Sequence, residues 1–413
     1  MLLRFQFGNF RSFRDVQTLS WVASSVRHPS REVDFAALPV CAIYGANASG
    51  KSNVLAALGF FTSTIRRSFR QWSPSQAIPR SRFLGTSFNL GQPTSFVLDF
   101  RLEDAEYQYG FELDDAIVLK EWLWAFPQGR KQEWFRRETG SAMYFGPKLR
   151  GPNKTIEEVT RVNSLFMSAA AQNNHEQLLP IFSRLTRDIV VRANVFPREL
   201  NRVAEYINSP NRKTKVLHLI QAAELGISDL QIYEPTIRNF LLKHLGISGR
   251  DPQSRSTVRL THQIEGQSVQ LPEELESEGT KTFLAQLPAV LSALSSGGTL
   301  AIDEIDRSLH SILCIALIRL FMSKQTNPNS AQLLFTTHDS SLLSSGDLRR
   351  DEIWFTEKRD DGASVLYPLT DYSPRKQENL ERGYLQGRYG AIPFSSQDQF
   401  LRALAKDTDE EDS

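Results

Sequence analysis

The eight residues 45–52, which read G-A-N-A-S-G-K-S, constrain this chain more than any other part of it. They match the pattern G-x-x-x-x-G-K-S and lie between an apolar segment, residues 40–44, and a stretch with helical spacing, residues 53–61. A strand, a glycine-rich turn and a helix N-terminus form a cradle in which backbone N–H groups and the helix dipole face phosphate oxygens. With that context present, a site for a nucleoside triphosphate is favoured over a chance match in a Ser/Gly-rich turn.

The residues of this turn have separate expected roles. Lys51 is expected to reach the β- and γ-phosphate oxygens, and Ser52 to supply a hydroxyl ligand for Mg²⁺. ATP and Mg²⁺ are therefore the predicted cofactors. The nucleotide contacts are expected from Asn47, Ala48, Ser49, Gly50, Lys51 and Ser52.

Size and composition favour an ordinary globular protein with two lobes. The 413 residues are many for one compact core, while 40% hydrophobic and 23% charged residues are ordinary values. The net charge of +1 gives no global field for nucleic acid, so any such contact requires a local patch. Cys41 and Cys314 lie in apolar segments, which rules out a disulfide framework. Since we find no signal-peptide pattern and no run of ~18 apolar residues, we expect a cytoplasmic protein.

Residues 62–82 are loop-like and basic, with five arginines around Phe69 and Trp72. Arginines mixed with aromatic residues can bind single strands or phosphates. A solvated helix face plus a loop explains the same residues, and we favour it because charge runs are usually solvated.

The middle of the chain divides into a β-rich part and a helical part. Residues 95–140 alternate apolar and polar side chains between polar turns, which predicts an antiparallel meander with one buried face. Residues 155–245 have helical spacing without a sustained heptad, which excludes a long coiled-coil arm. Residues 246–257 are polar and contain Gly and Pro, so we expect a loop there.

A second informative block begins at residues 276–281, which read E-S-E-G-T-K. The helix predicted behind it contains Pro288, which should kink or shorten it. Residues 312–321 are apolar on nearly all sides, so we expect that helix to be deeply buried. The apolar face of the first helix consists of Phe283, Leu287, Val290 and Leu294.

Two polar sites follow predicted strands in this block. Asp303 is expected to hold Mg²⁺, and Glu304 to act as general base on the attacking water. An isolated Asp-Glu pair at a strand end is usually solvated, but the phosphate loop in the same chain favours the functional interpretation. His338 ends the next strand within T-T-H-D, and a neutral imidazole there can donate to the γ-phosphate. A lone histidine is more often structural, yet this setting again favours function.

Six segments of the chain occur together in one known family. They are residues 9–13 (N-F-R-S-F), 45–52, 163–177, 303–310 (D-E-I-D-R-S-L-H), 336–339 (T-T-H-D) and 384–393 (Y-L-Q-G-R-Y-G-A-I-P). Their order is that of ABC-type ATPases. Over almost its whole length the chain resembles the OLD-like, AbiL/RloA-type ATP-binding proteins of bacterial and phage defence loci.

This resemblance implies an α/β fold. The expected architecture is an ABC-type P-loop ATPase head, with a mixed sheet and an antiparallel β-meander lobe, plus a helical insertion. Residues 1–150 would form the first part of the head with Walker A and the meander, and residues 151–257 the helical insertion. Residues 258–360 would form the second part of the head with the signature, Walker B and H-loop. Residues 361–413 would be a C-terminal extension with an acidic tail.

The resemblance also implies a head that dimerises around nucleotide. Ser277 and Gly279 of one subunit would face the γ-phosphate bound by the phosphate-loop lysine of the other. Asp306 would act as the D-loop residue between the two sites. Arg11 and Ser12 resemble the N-terminal nucleotide-side contacts of related ATPases.

Two departures from the family pattern affect these expectations. Glu278 stands where typical ABC signatures have glycine, and its charge near the opposing phosphates would slow hydrolysis. No glutamine matches the Q-loop well; Gln76 is the candidate.

OLD-type nucleases also carry a Toprim domain after the ATPase, and the residues after His338 show no such pattern, so any nuclease would be a separate protein.

The sequence therefore favours an ATPase subunit of a two-component antiphage, abortive-infection type of system. It would hydrolyse ATP at subunit interfaces, sense an invader and control a separate effector, a nuclease or toxin. The expected partners are further copies of the chain, that effector, and a phage protein or nucleic acid as trigger, with no membrane. An ATP-stabilised scaffold without catalytic coupling is a second hypothesis. A DNA-repair-type ATPase is a third, disfavoured by the near-neutral charge, and a transporter ATPase fits least.

Overall fold

A computed structural model describes residues 1–23, 37–85, 91–192, 200–233, 257–375 and 378–391. Within these ranges the strands form a seven-stranded, a six-stranded and a three-stranded sheet, and helices pack on them. The fold is therefore mixed α/β, as predicted. None of the helices in these ranges is both long and apolar enough to cross a lipid bilayer.

The elements are numbered in chain order. The strands are β1 (Leu2–Gly8), β2 (Gln17–Ser20), β3 (Val40–Gly45), β4 (Thr94–Leu102), β5 (Ala105–Leu113), β6 (Val118–Phe126), β7 (Gln132–Glu138), β8 (Tyr144–Phe145), β9 (Ile189–Arg192), β10 (Ile227–Tyr233), β11 (Thr257–Ile264), β12 (Gln267–Pro272), β13 (Thr299–Ile302), β14 (Gln332–Thr336), β15 (Ile353–Lys358) and β16 (Ser364–Pro368). The helices are α1 (Lys51–Gln71), α2 (Asn153–Val159), α3 (Phe166–Gln172), α4 (Leu178–Thr186), α5 (Leu200–Tyr206), α6 (Pro210–Ala222), α7 (Glu278–Ser296), α8 (Ser311–Met322), α9 (Ser341–Ser344) and α10 (Leu380–Leu385).

The seven-stranded sheet contains the predicted antiparallel meander. Its strand order is β2-β1-β4-β5-β6-β7-β8, and neighbouring strands pair antiparallel. The alternation in β4 buries Phe96, Leu98 and Phe100. Helix α1 packs on this face, where the Phe61 ring stacks on Phe111 with centroids 5.5 Å apart. The sheet thus has one face buried against the helix that leaves the phosphate loop.

The six-stranded sheet carries the phosphate loop. Its order is β16-β15-β3-β14-β13-β9, and all its strands run parallel except the edge strand β16. Strand β14 therefore lies between β3 and β13. Because the carboxyl ends of parallel strands share one edge, the residues after β3, β14 and β13 meet within about 10 Å, two strand spacings.

Strand β3 is buried on both sides, which explains its uninterrupted apolar sequence. Cys41 and Ile43 belong to the hydrophobic core shared with α1 and the meander. Val40, Ala42 and Tyr44 belong to the second core, which includes side chains of α7, α8 and α10. The phosphate loop is consequently held between two packed layers.

The basic stretch 62–82 is only partly a loop, because α1 continues to Gln71. Helical structure persists there because side chains such as Ile65 and Ser68 are buried. The Arg161 guanidinium lies over the Phe69 ring, 5.0 Å from its centroid, and donates to three carbonyls at the end of α1. The Arg161 guanidinium thus lies against one face of the Phe69 ring, and the choice between a solvated helix face and a nucleic-acid contact stays a prediction.

The region predicted as helical, 155–245, also contains strands. Strand β9 pairs with β13 at the edge of the six-stranded sheet, and β10 pairs with β11. Both pairings are with residues distant along the chain, so local spacing could not indicate them. The boundaries at residues 150, 257 and 360 stay predictions, and most of the predicted 246–257 loop and the acidic tail lie outside the described residues.

The structure corrects two expectations about helices. Of the two effects expected of Pro288, a kink or a shorter helix, the shorter helix is wrong, since α7 continues to Ser296 while Leu284 and Leu287 remain fully buried; the kink stays a prediction. The deep burial expected for helix α8 is also wrong, because Ile312 is 69% exposed. Its buried side consists of Cys314, Leu317, Ile318 and Phe321.

Candidate nucleotide-binding site

The phosphate loop joins β3 to α1 and has a backbone that few residues other than glycine can adopt. Gly45 has φ 149°, and a Cβ built there would lie 2.4 Å from the Thr356 carbonyl oxygen. Gly50 has φ 118° and precedes the first turn of α1, which has no side-chain cap. The first N–H groups of α1 are therefore available to an anion placed in the loop.

Lys51 lies under this loop and is bonded to it. Its Nζ donates to the carbonyl oxygens of Gly45 and Ala46, at 2.8 and 2.9 Å, and the residue is only 5% exposed. Burial lowers the pKa of Lys51 to about 8, although the carboxylates of Glu304 and Asp303 act in the opposite direction. A phosphate in the loop would offer this ammonium a full negative charge in place of neutral carbonyl groups.

The loop is also fixed from the neighbouring strand β15. The hydroxyls of Ser49 and Thr356 are 2.6 Å apart, and Ser49 is almost fully buried. Ser49 therefore contributes to the shape of the loop through a side-chain contact, while Asn47 and Ala48 remain at its exposed tip.

Ser52 and Asp303 meet as the motifs predicted. The Ser52 hydroxyl donates to Asp303 Oδ1 at 3.1 Å, which brings together two oxygen groups of the kind that Mg²⁺ prefers. No group of three or more His, Cys, Asp or Glu side chains in the described parts of the chain could hold a metal alone. The pair fits Mg²⁺ that completes its shell with phosphate oxygens and water, which is the usual arrangement for this ion.

Thr336, at the end of β14, orients both carboxylate residues. Its Oγ1 donates to Asp303 Oδ1 at 2.6 Å and accepts from the Glu304 N–H at 2.7 Å. Glu304 has φ 50°, a left-handed conformation that the second of these bonds supports. The order of the strands produces this contact, because β14 separates β3 from β13.

His338 lies beside Glu304. The His338 Nε2 and Glu304 Oε1 atoms are 4.0 Å apart, and both side chains are more than one-third exposed. Burial lowers the pKa of His338 below its ordinary value, and the charge of Lys51 lowers it further. The imidazole is therefore mainly neutral at pH 7 and can donate one hydrogen bond into the site.

Asp306 ties the two catalytic loops together. Its Oδ2 accepts from the His338 N–H at 3.2 Å, while its Oδ1 is buried without a hydrogen-bond partner among the described residues.

Arg11 and Ser12 lie between β1 and β2 and contact the first turn of α1, while their role as nucleotide contacts stays a prediction. Both contact Asn53: the Arg11 Nη1 donates to Asn53 Oδ1 at 3.2 Å, and the Asn53 amide donates to Ser12 Oγ at 2.8 Å. Arg11 is exposed. Its guanidinium is therefore near the helix N-terminus and open to an added ligand.

The signature residues are away from the phosphate loop of their own chain. Ser277 caps α7 by accepting the Thr280 N–H at 3.1 Å, and a Cβ on Gly279 would lie 3.0 Å from the Ser308 carbonyl. Within the described residues no hydrogen bond or ion pair joins this segment to the phosphate loop. Glu278 is exposed and forms an ion pair with Lys281 at 2.7 Å.

A comparison with known families decides the class of this site. The family model described as "AAA domain, putative AbiEii toxin, Type IV TA system" matches residues 40–344, most of the chain. The chain belongs to this family. It is an AAA/ABC-type ATPase domain, of a family linked to toxin–antitoxin and abortive-infection systems, and nucleotide binding is what the family implies. No curated protein matches the chain.

The match begins at the first residue of β3 and ends at the last residue of α9. It therefore includes the phosphate loop, the carboxylates and His338 of this AAA-type ATPase. Arg11, Ser12 and the C-terminal motif lie outside it.

Sequence reasoning missed Thr336, Asn53 and Thr356. Thr336 ends a predicted strand two residues before His338, a position that could have marked it. Asn53 and Thr356 carry no local signal, because their contacts depend on the packing of distant segments. The proposed Q-loop residue Gln76 bonds its side chain to the Ser73 N–H in the turn after α1, at 3.1 Å, and has no described contact with the phosphate loop.

Proposed function

We propose that this AAA/ABC-type ATPase domain hydrolyses ATP as a subunit of a two-component antiphage system of the OLD-like, AbiL/RloA type. The observation that carries the proposal is the meeting of Lys51, the Ser52–Asp303 pair and the Glu304–His338 pair at one edge of the six-stranded sheet. These groups supply, in one place, what phosphoryl transfer to water requires.

The proposed reaction is attack of a water molecule on the γ-phosphorus of ATP. Glu304 takes the proton of that water, the bond to the β–γ bridging oxygen breaks, and ADP and phosphate leave. Lys51 binds the β- and γ-oxygens, and neutral His338 donates to the γ-phosphate. Bound Mg²⁺, held by Ser52 and Asp303, would neutralise charge on the phosphates.

Dimerisation around the nucleotide is supported by side chains that are exposed in the single subunit. Ser277 and Glu278 are exposed at the start of α7, although nothing in their own subunit uses them for ATP. Leu275, two residues before the signature, and Ile312, just after the D-loop, are each 69% exposed. Large apolar side chains next to functional loops are typical of interfaces, and a second copy would cover them.

The link to a separate effector rests on the family and on the resemblance to defence ATPases. In the proposed cycle, ATP binding joins two heads, and hydrolysis separates them and changes the state of a nuclease or toxin. The trigger would be a phage protein or nucleic acid that acts on this cycle.

Co-purification from the native operon tests the proposal. The wild type, Lys51→Ala and Glu304→Gln would be isolated with Mg²⁺ and ATP and assayed for bound nucleotide and phosphate release. We expect Lys51→Ala to lose nucleotide, Glu304→Gln to bind but not hydrolyse it, and a second protein to co-elute in amounts that differ between the variants.

Two results would contradict parts of the proposal. A chain that elutes alone, and whose assembly state does not change with nucleotide, would contradict both the separate effector and the dimer around ATP. If Glu304→Gln still co-elutes with the second protein and still protects cells against phage, an ATP-stabilised scaffold is favoured, since a scaffold does not need hydrolysis.

A further inference from the structure

The C-terminal motif folds back onto the strand that carries the phosphate loop. Tyr384, in α10, is only 2% exposed, and its ring packs on Tyr44 and Phe355 with centroids 5.9 and 5.6 Å away. Tyr44 is the residue immediately before the loop, and Phe355 lies on the neighbouring strand β15. The motif is therefore part of the wall behind the nucleotide site, although it lies outside the part of the chain that the family model matches.

Tyr384 is joined to the phosphate loop through its ring. The ring packs on Tyr44, and Tyr44 is followed directly by Gly45, whose carbonyl oxygen accepts from Lys51 Nζ at 2.8 Å. A change in the position of the Tyr384 ring would therefore reach the residue at which the loop begins.

The preceding turn of the same helix contacts the other side of the site. Glu381 Oε1 accepts a hydrogen bond from Ser340 Oγ at 3.1 Å. Ser340 is two residues after His338, in a loop that Asp306 also holds. Residues three apart share one face of a helix, so Glu381 and Tyr384 present one surface to both loops.

The segment is locked in place by contacts that do not involve the site. The Tyr389 hydroxyl donates to Glu378 Oε1 at 2.7 Å, and its carbonyl accepts from the Tyr367 hydroxyl at 2.9 Å. A Cβ on Gly383 would lie 2.7 Å from the Tyr389 hydroxyl, so glycine is needed where this ring crosses the helix. Tyr389 stacks on the same Phe355 ring as Tyr384 does, at 5.8 Å.

We propose that α10 is a positioning element of the ATP site. The Tyr384 ring holds Tyr44, and with it the start of the phosphate loop, in the form that accepts the triphosphate, and Glu381 holds the His338 loop in register with it. This inference rests on the proposed ATPase function. Because neither side chain touches the reacting atoms, both are positioning residues.

The two contacts predict different kinetic effects. Tyr384→Leu removes the ring that packs on Tyr44, so we expect KM and Kd for ATP to rise about 2- to 10-fold with kcat nearly unchanged. Glu381→Ala should lower kcat with little change in KM, because His338 acts on the γ-phosphate in the transition state.

Tyr107→Leu is the matched control, since it removes a tyrosine ring that stacks on Phe100 in the meander, with centroids 5.5 Å apart. It should lower Tm and leave KM and kcat as in the wild type. If Tyr384→Leu leaves KM unchanged, or if Tyr107→Leu raises it equally, the positioning role is overturned while the ATPase proposal stands. A wild type that neither binds nor hydrolyses ATP would instead overturn the proposed function and this inference with it.

Discussion

Lys51 shows how the free protein prepares one side chain for a charged ligand. In the nucleotide-free state its pKa is lowered to about 8 by burial. Phosphate oxygens would raise that pKa, so ATP binding above pH 8 must take up a proton. We expect the affinity for ATP to be flat below pH 8 and to fall by up to about tenfold per pH unit above it.

Isothermal titration calorimetry at pH 8.5, in two buffers of different ionisation enthalpy, measures this proton uptake. Lys51→Arg is the control, because arginine stays charged throughout and should remove the dependence. An affinity of the wild type that does not change between pH 7.5 and 9.5 would show that Lys51 is already charged without nucleotide.

Thr336 tests whether the orientation of the carboxylates matters for turnover. Thr336→Val removes the donor to Asp303 and the acceptor for the Glu304 N–H. We expect kcat to fall about 10- to 100-fold, the effect of losing a hydrogen bond to a charged group, with a smaller change in ATP affinity. Steady-state phosphate release measures kcat.

The control is Thr299→Val, the same change at the start of the neighbouring strand β13. Thr299 is also buried, and its hydroxyl donates to Gln332 Oε1 at 3.4 Å, away from the site. It should leave kcat unchanged. Equal kcat values for both variants would mean that Thr336 is structural.

Among single residues, the sequence predicted those that belong to a short local motif. Lys51, Ser52, Asp303 and Glu304 follow from two short motifs, and the structure brings them together. Thr336 and Asn53 could not be predicted in the same way, because their contacts exist only once β14 lies between β3 and β13 and the N-terminal segment returns to α1.

At the scale of elements, the phosphate loop depends on a close approach between β3 and β15. Gly45→Ala would place a Cβ 2.4 Å from the Thr356 carbonyl oxygen and 2.7 Å from the Ser49 hydroxyl, at φ 149°. We expect it to abolish ATP binding and to destabilise the fold. Gly129→Ala is the control, with φ 75° in the meander lobe and no atom within 4 Å of the added Cβ.

Urea unfolding separates the cost of backbone strain from the cost of the steric clash. Gly129→Ala should lose about 1–2 kcal/mol through backbone strain alone, whereas Gly45→Ala should lose clearly more because of the added clash. Equal losses, or normal ATP binding by Gly45→Ala, would show that the loop can move away from β15.

The elements differ in how far the sequence could predict them. Alternation predicted the meander well, because each strand pairs with its neighbour in the chain. It gave no indication of β9, which pairs with β13 more than a hundred residues later. The burial of α8 was overestimated because an apolar sequence does not specify which residues of the fold cover each face of a helix.

On the scale of the whole molecule, two hydrophobic cores enclose the phosphate-loop sheet. The signature residues Ser277 and Glu278 are exposed, and so are the large apolar side chains of Leu275 and Ile312. In the proposed dimer, a single head would supply the phosphate loop and carboxylates of one site and the signature of another. This arrangement stays a prediction from family resemblance, since no pattern within one chain specifies a contact between copies.

The mass of Glu304→Gln in solution, with and without Mg²⁺ and ATP, tests the ATP-sandwiched dimer most directly. Multi-angle light scattering should give a monomer mass without ATP and twice that mass with it. The double variant Glu304→Gln, Ile312→Asp should bind ATP and remain monomeric, because Ile312 is exposed in the single head. A Glu304→Gln protein that binds ATP yet keeps the monomer mass would contradict a site shared between two subunits.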